Sequence, residues 1–230
     1  MEKWLVLQHT PDDNPGTLLD WLLSRRVRHE IRHVYLDDRL PSPEEFHTLV
    51  VLGGPMNVDE ERQYPWLRTE KKLIERAVDA GNPIVGICLG GQLLGQVLGA
   101  EVRKNRHREV GWHEIRRTED HPGLASWPES LPVFHWHEDR FTLPAGTRSL
   151  FTSIATEHQG FALGDRIVGL QFHPESSREW IVSSCEDLDE RYSGPYVQRQ
   201  DSIRRGLDVH LPGMTRRFHE FLDSFRDLHR

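Results

Sequence analysis

Cys88 stands in Gly86-Ile87-Cys88-Leu89-Gly90, with a glycine two residues to either side. The frame follows the apolar run Pro83–Ile87 and opens a small-residue helical pattern from Gly90 to Leu98. A G-x-C-x-G between a strand and a helix is the thiol form of the nucleophile elbow. Such a turn lifts the side chain to the carboxyl edge of a sheet. There the helix N-terminus favours a thiolate and offers N–H groups to an oxyanion. A buried structural thiol is the competing reading of any free cysteine, but the flanking glycines favour the nucleophile. Cys185, in Ser183-Ser184-Cys185-Glu186, has no such frame and reads as structural.

A nucleophile of this kind needs a base, and the base needs an orienting group. Both stand in Gln171-Phe172-His173-Pro174-Glu175, which closes the apolar run Ile167–Phe172. Residues i and i+2 of an extended chain point to one side, so Glu175 can hold the His173 ring. Pro174 biases His173 away from a helix. A His-x-Glu alone is weak. Beside a cysteine elbow it describes thiol-based acyl transfer.

With Gly53-Gly54-Pro55 after a strand, Gly86-Ile87-Cys88-Leu89-Gly90-Gly91-Gln92 and Phe172-His173-Pro174-Glu175, the chain resembles the class-I glutamine amidotransferases from about Lys3 to Ser177. Glu109-Val110-Gly111-Trp112 and His135-Trp136-His137-Glu138-Asp139 suggest free-standing members related to the amidotransferase domain of GMP synthase. The resemblance implies a flavodoxin-like three-layer α/β sandwich with a mainly parallel central sheet. It implies Cys88 as nucleophile, His173 as base and acid, and Glu175 as orienter. Gly54 and Leu89 would donate backbone N–H groups to the oxyanion. Gln92 and the backbone around Gly160-Phe161 would hold glutamine, with no metal and no cofactor. The substrate would be glutamine or another γ-glutamyl compound.

No Ser-Gly-Gly-x-Asp-Ser loop of an ATP-pyrophosphatase domain occurs. Acceptor chemistry is therefore expected in a separate synthetase subunit or is absent. Three functions follow: a glutaminase serving a synthetase, a free-standing γ-glutamyl peptidase or hydrolase, and a binding module that kept the fold. The complete triad counts against the third. Peptidase and chaperone relatives carry a histidine directly after the elbow cysteine, where this chain has Leu89. Thiol hydrolases of the α/β-hydrolase type order the triad cysteine, acid, histidine, whereas Glu175 is last here.

Two other clusters invite chemistry. His135 and His137 stand two apart on an expected strand with Asp139 on the same face, a spacing that could offer metal ligands, with His158 as a further candidate. No fourth convergent group is evident, and pocket lining is the preferred reading. Arg103-Lys104-Asn105-Arg106-His107-Arg108 concentrates positive charge and reads as a solvated loop.

The elements that must position these residues alternate in the first half of the chain. Lys3–Gln8, Ile31–Leu36, Thr48–Leu52 and Pro83–Ile87 read as strands, and helices open at Pro15-Gly16 and run over Pro65–Ala80 and Gly90–Leu98. That order predicts a parallel sheet covered by helices. Val102–Arg117, Leu131–Phe141, Thr147–Glu157 and Ile167–Phe172 predict added antiparallel strands. Helices are expected over Glu179–Asp189, Val197–Leu207 and Thr215–Leu228. The organisation expected is an amidotransferase domain over 1–192 with a helical extension, 193–230, packed on it.

Composition agrees with such a chain. The 230 residues carry 37% hydrophobic residues, with 7 Trp and 9 Phe, enough for a buried core. The formal net charge of −7 gives no general attraction for nucleic acid or an anionic membrane. Two cysteines cannot build a disulfide framework. No run approaches the roughly 20 apolar residues of a membrane span. A cytoplasmic protein is expected.

Overall fold

The computed structural model describes residues 2–36, 39–189 and 192–230. Five strands run parallel in neighbouring positions: β1 (Trp4–Gln8), β2 (His29–His33), β3 (Thr48–Val51), β4 (Ile84–Ile87) and β9 (Ile167–Leu170). β1, β3, β4 and β9 are buried at every position, the pattern of a sheet covered on both faces. Four antiparallel strands extend it: β5 (Val102–Arg117), β6 (Ser130–Phe141), β7 (Arg148–Thr152) and β8 (Gly160–Leu163). The order across the nine strands is β2-β1-β3-β4-β9-β8-β7-β5-β6.

Helices cover both faces and give two hydrophobic layers. α2 (Trp66–Asp79) and α3 (Leu89–Val97) bury Leu67, Leu73, Ile74, Leu93 and Leu94 with Leu49, Val51 and Phe161. α1 (Thr17–Ser24), α4 (Arg178–Glu186) and α5 (Gln200–Leu228) cover the opposite face, where Trp21, Ile181, Phe218 and Phe225 pack on Val85, Val168 and Phe134. Three layers with a mainly parallel core result, as expected.

Several boundaries differ from the sequence reading. Val34–Leu36 is a 3-10 turn rather than the end of β2. Gly160–Leu163 forms a strand that the pattern did not announce. The basic run 103–108 is not a loop: it lies within β5, whose register against β6 shifts between Lys104 and Glu109. The two C-terminal helices are one, α5, with Pro212 inside it. Ile203, Leu207, Leu211, Met214, Phe218, Leu222 and Phe225 hold one apolar stripe across the break, and all are buried. Packing of that stripe outweighs the roughly 3 kcal/mol that an interior proline costs a helix.

Candidate active site

Cys88 follows β4 directly and begins α3 with φ +50° and ψ −107°. L residues rarely adopt that conformation, and it persists only where surrounding structure enforces it. The Cys88 N–H donates to the Leu170 carbonyl at 2.7 Å, pinning the elbow to the end of β9. The turn is so close that a Cβ on Gly90 would lie 2.0 Å from the Val51 carbonyl oxygen, and one on Gly86 2.5 Å from that of Gly90. These contacts are the physical reason for the G-x-C-x-G frame.

His173 leaves the end of β9 through Gln171 and Phe172, and its N–H donates to the Phe134 carbonyl at 2.9 Å. Its Nδ1 meets Glu175 Oε1 at 2.9 Å, so Nε2 is the nitrogen left for the Cys88 thiol. All three side chains are more than nine-tenths buried. Burial alone would lower the His173 pKa. The charges of Glu175 and Cys88 overcome it and raise the pKa well above its ordinary value of 6.5. An imidazolium therefore persists beside the thiol near neutral pH. The Trp180 ring packs on His173, centroids 5.1 Å apart, while its indole N–H donates to Asp13.

Two backbone N–H groups beside the elbow have no acceptor in the described structure. At the start of α3, the Gly90 N–H donates to Leu52 and the Gln92 N–H to Cys88. Among the described residues nothing accepts the N–H of Leu89 or of Gly54. Cys88, Gly54, Gln92 and His173 line one cavity of about 870 Å³ together with Trp136 and Trp180. The Gln92 side-chain amide reaches Gln171 Oε1 at 3.3 Å and the Asp139 carbonyl at 3.5 Å. Gly160 and Phe161 lie elsewhere, in β8 between β7 and β9, and the Phe161 ring is buried against Phe141. They are not among the residues that line the cavity.

The histidine pair has a different companion from the one expected. His137 Nε2 lies 3.1 Å from Glu109 Oε2 and 3.4 Å from His135 Nδ1. The potential ligand atoms of these three buried residues lie within 4.8 Å of one another, a spacing that a metal ion would tolerate. The Glu109 carboxylate, however, already accepts from Ser153, Thr156 and Gln159. Burial lowers the His135 pKa to about 3. For Glu109 burial pulls upward, but the histidines and the Thr156 hydroxyl prevail and hold the carboxyl below its ordinary range. His158 is not part of the group: its Nδ1 meets Ser149 Oγ at 3.1 Å. The cluster ties β5 and β6 to the 153–159 segment beside the cavity, and the only sequence signal for Glu109 was its motif.

Lys104 and Arg108 line the cavity and pair with Glu138 at 3.2 and 2.6 Å. Gln171, whose amide reaches Cys88 Sγ at 3.7 Å, and Trp180 were not marked by the sequence reading. Trp180 had a faint signal in Ser177, which caps α4 by accepting from the Trp180 N–H.

The model of the glutamine amidotransferase class-I family matches residues 16–180. YfeJ of Salmonella typhimurium, a glutamine amidotransferase-like protein, is 35% identical over 180 residues, 75% of each chain. A glutamine-hydrolyzing GMP synthase of Thermomicrobium roseum is 34% identical over 169 residues, 70% of this chain but 30% of that protein. Among solved structures, a glutamine amidotransferase of Thermotoga maritima superposes with a TM-score of 0.89 at 29% identity, covering 97% of both chains. One from Methylobacillus flagellatus gives 0.93 at 26%, covering 100% and 96%. This chain belongs to the class-I glutamine amidotransferase family.

Proposed function

We propose that the chain hydrolyses a γ-glutamyl amide through a thioester on Cys88. The family supports glutamine amide hydrolysis in general. The observation that carries the assignment to these residues is the strained Cys88 elbow facing a buried His173–Glu175 pair at 2.9 Å. The Cys88 thiolate attacks the γ-carboxamide carbon. The oxygen that gains charge accepts from the Gly54 and Leu89 N–H groups, worth about 2.7–4 kcal/mol per donor in comparable sites. His173 Nε2 gives its proton to the departing nitrogen, the C–N bond breaks, and a γ-glutamyl thioester remains. Water, losing a proton to the same nitrogen, attacks the thioester and releases glutamate. Ammonia from glutamine would leave free or pass to a separate synthetase subunit.

A second reading, hydrolysis of γ-glutamyl peptides or amines, is favoured by the cavity. Its 870 Å³ lies toward the upper end of the roughly 300–1,000 Å³ of ligand pockets and leaves room beyond a glutamine side chain. Glutamate release from glutamine, γ-glutamyl dipeptides and γ-glutamyl amines separates the two. Cys88→Ala is expected to abolish release from whichever substrate works. Persistent turnover in that variant would remove Cys88 from the mechanism, and inertness of the wild type across the panel would remove independent hydrolysis.

A further inference from the structure

Behind the Gly53-Gly54 turn lies a second histidine–carboxylate pair, for which the reaction above has no use. His9 follows β1 directly, as Cys88 follows β4. It has no exposed surface and does not line the cavity. Its Nε2 meets Glu70 Oε1 at 2.8 Å, its Nδ1 meets the Gly53 carbonyl oxygen at 2.7 Å, and the Trp66 ring stacks on it with centroids 5.4 Å apart. Glu70 is also fully buried. It is the one charged residue on the inner face of α2, among Leu67, Leu73, Ile74 and Ala77.

A carbonyl only accepts, so His9 Nδ1 carries a proton, and a second proton lies between Nε2 and the carboxylate. A pair so deeply buried is seldom more stable than apolar residues of equal volume, and it asks for another reason to be there. Here the reason is a single backbone carbonyl. The Gly53–Gly54 peptide is planar and trans. Its N–H therefore points opposite to its C=O. With the carbonyl bound on the His9 side, the Gly54 N–H faces away from His9, no described residue accepts it, and Gly54 lines the cavity that holds Cys88. A flipped peptide would take the donor out of the site and leave the buried His9 N–H with no acceptor, at a cost set by its desolvation.

We propose that His9, oriented by Glu70, is a positioning residue that locks the Gly53–Gly54 peptide with its N–H toward the cavity, so that the oxyanion site is formed without a partner protein. This rests on the reading of Gly54 as an oxyanion donor. It names the device that holds that donor in place, two elements away in the sheet from the nucleophile. Glutamate release then depends on a residue that touches neither the substrate nor Cys88.

The test combines His9→Phe, Glu70→Leu and Glu70→Gln with measurements on the unaltered chain. His9→Phe keeps the ring stack but loses the donor. Losing one oxyanion donor outright costs about 10²–10³-fold in kcat, so a peptide that still samples the donor-in state should lose about 10- to 100-fold, with KM little changed. Glu70→Leu should follow it. Glu70→Gln replaces the acceptor carboxylate with an amide N–H that donates to Nε2, which keeps the Nδ1–H tautomer, and should recover most of what Glu70→Leu loses. Alkylation of Cys88 by iodoacetamide needs no oxyanion and should keep its rate in all three. Wild-type kcat in His9→Phe, a loss confined to KM, or a parallel fall in alkylation would overturn the proposal.

Should the variants not fold, ¹⁵N-histidine labelling of the wild type still decides. His9 Nδ1 must be protonated, and a bare Nδ1 refutes the anchor. If the wild type releases glutamate from no γ-glutamyl substrate, the functional reading fails instead. The labelling result then judges the anchor by itself.

Discussion

Glu175→Gln tests the triad most sharply, because the structure separates what Glu175 does with its backbone from what it does with its carboxylate. The Glu175 carbonyl accepts from the Thr17 N–H at 2.8 Å and lies 3.2 Å from its hydroxyl, so the chain path after His173 survives a side-chain change. The carboxylate has one defined task, 2.9 Å from His173 Nδ1. An amide of the same shape can turn its N–H toward Nδ1. That selects the tautomer with the proton on Nε2, facing the thiol, and leaves the ring unable to receive another without facing a donor. An isosteric acid-to-amide change at the equivalent position of a serine triad lowers kcat by about 10⁴. A thiol ionises more readily than a hydroxyl, so the loss expected here is smaller, about 10²–10³-fold, with KM changed by less than about threefold.

The same substitution has a pH signature. Burial pushes the His173 pKa down, while the negative charges of Glu175 and Cys88 push it up and win. The raised pKa keeps the imidazolium past the ordinary 6.5, so the alkaline limb of the kcat/KM profile lies well above that value. Removing the Glu175 charge removes the largest upward push, and the limb must move to lower pH. Glutamate release measured from pH 5 to 10 reads both effects. An unchanged kcat, or a limb that stays put or moves upward, would refute the argument.

Cys185 has no exposed surface and burial pushes its thiol pKa up, so it is not a reactive thiol, and it does not line the cavity. Cys185→Ala should leave kcat unaltered and cost about 1 kcal/mol of stability, read as a small fall in Tm. Phe218→Ala removes a fully buried ring from α5 and should cost about 3–5 kcal/mol, roughly 6–20 °C in Tm. Gly213→Ala adds a Cβ that meets nothing within 4 Å in the middle of α5, and should raise Tm by about 2–4 °C, the equivalent of roughly 1 kcal/mol.

The parallel half of the fold was legible because each element there answers to a short-range rule. β1, β3 and β4 are short apolar runs, β3 closed by Gly53-Gly54 and β4 opened by Pro83, and α2 has its period and its terminal Gly81. The elbow was legible for a steric reason, since Gly86 and Gly90 each face a backbone carbonyl with no space for a side chain. The antiparallel half was less so. β8 has four residues, and Gly160 at its start and Gly164 after its end read as turn punctuation. The charged start of β5 looked like a loop because its partners, Glu138 and Asp139, belong to another strand. The continuity of α5 through Pro212 was hidden for the opposite reason. A local rule against the helix is strong, and the stripe that overrides it becomes visible only once the sheet beneath is in place.

The same logic explains which site residues could be read and which could not. β1, β3, β4 and β9 are consecutive neighbours and all parallel, so their carboxyl ends reach one edge of the sheet. His9, Gly53, Cys88 and His173 each stand within three residues of one of those ends. Sequence separation is irrelevant to that meeting, because strand order alone decides it. Cys88 and His173 announced themselves through neighbours that constrain their own backbone, the glycines and Pro174-Glu175. His9 did not: a lone histidine after an apolar strand has no local partner, and Glu70 lies sixty-one residues away. An edge shared by four parallel strands is therefore a place to look for functional groups even where no motif marks them. At β1 of this chain the group found there is a buried ion pair that hydrogen-bonds the peptide before Gly54.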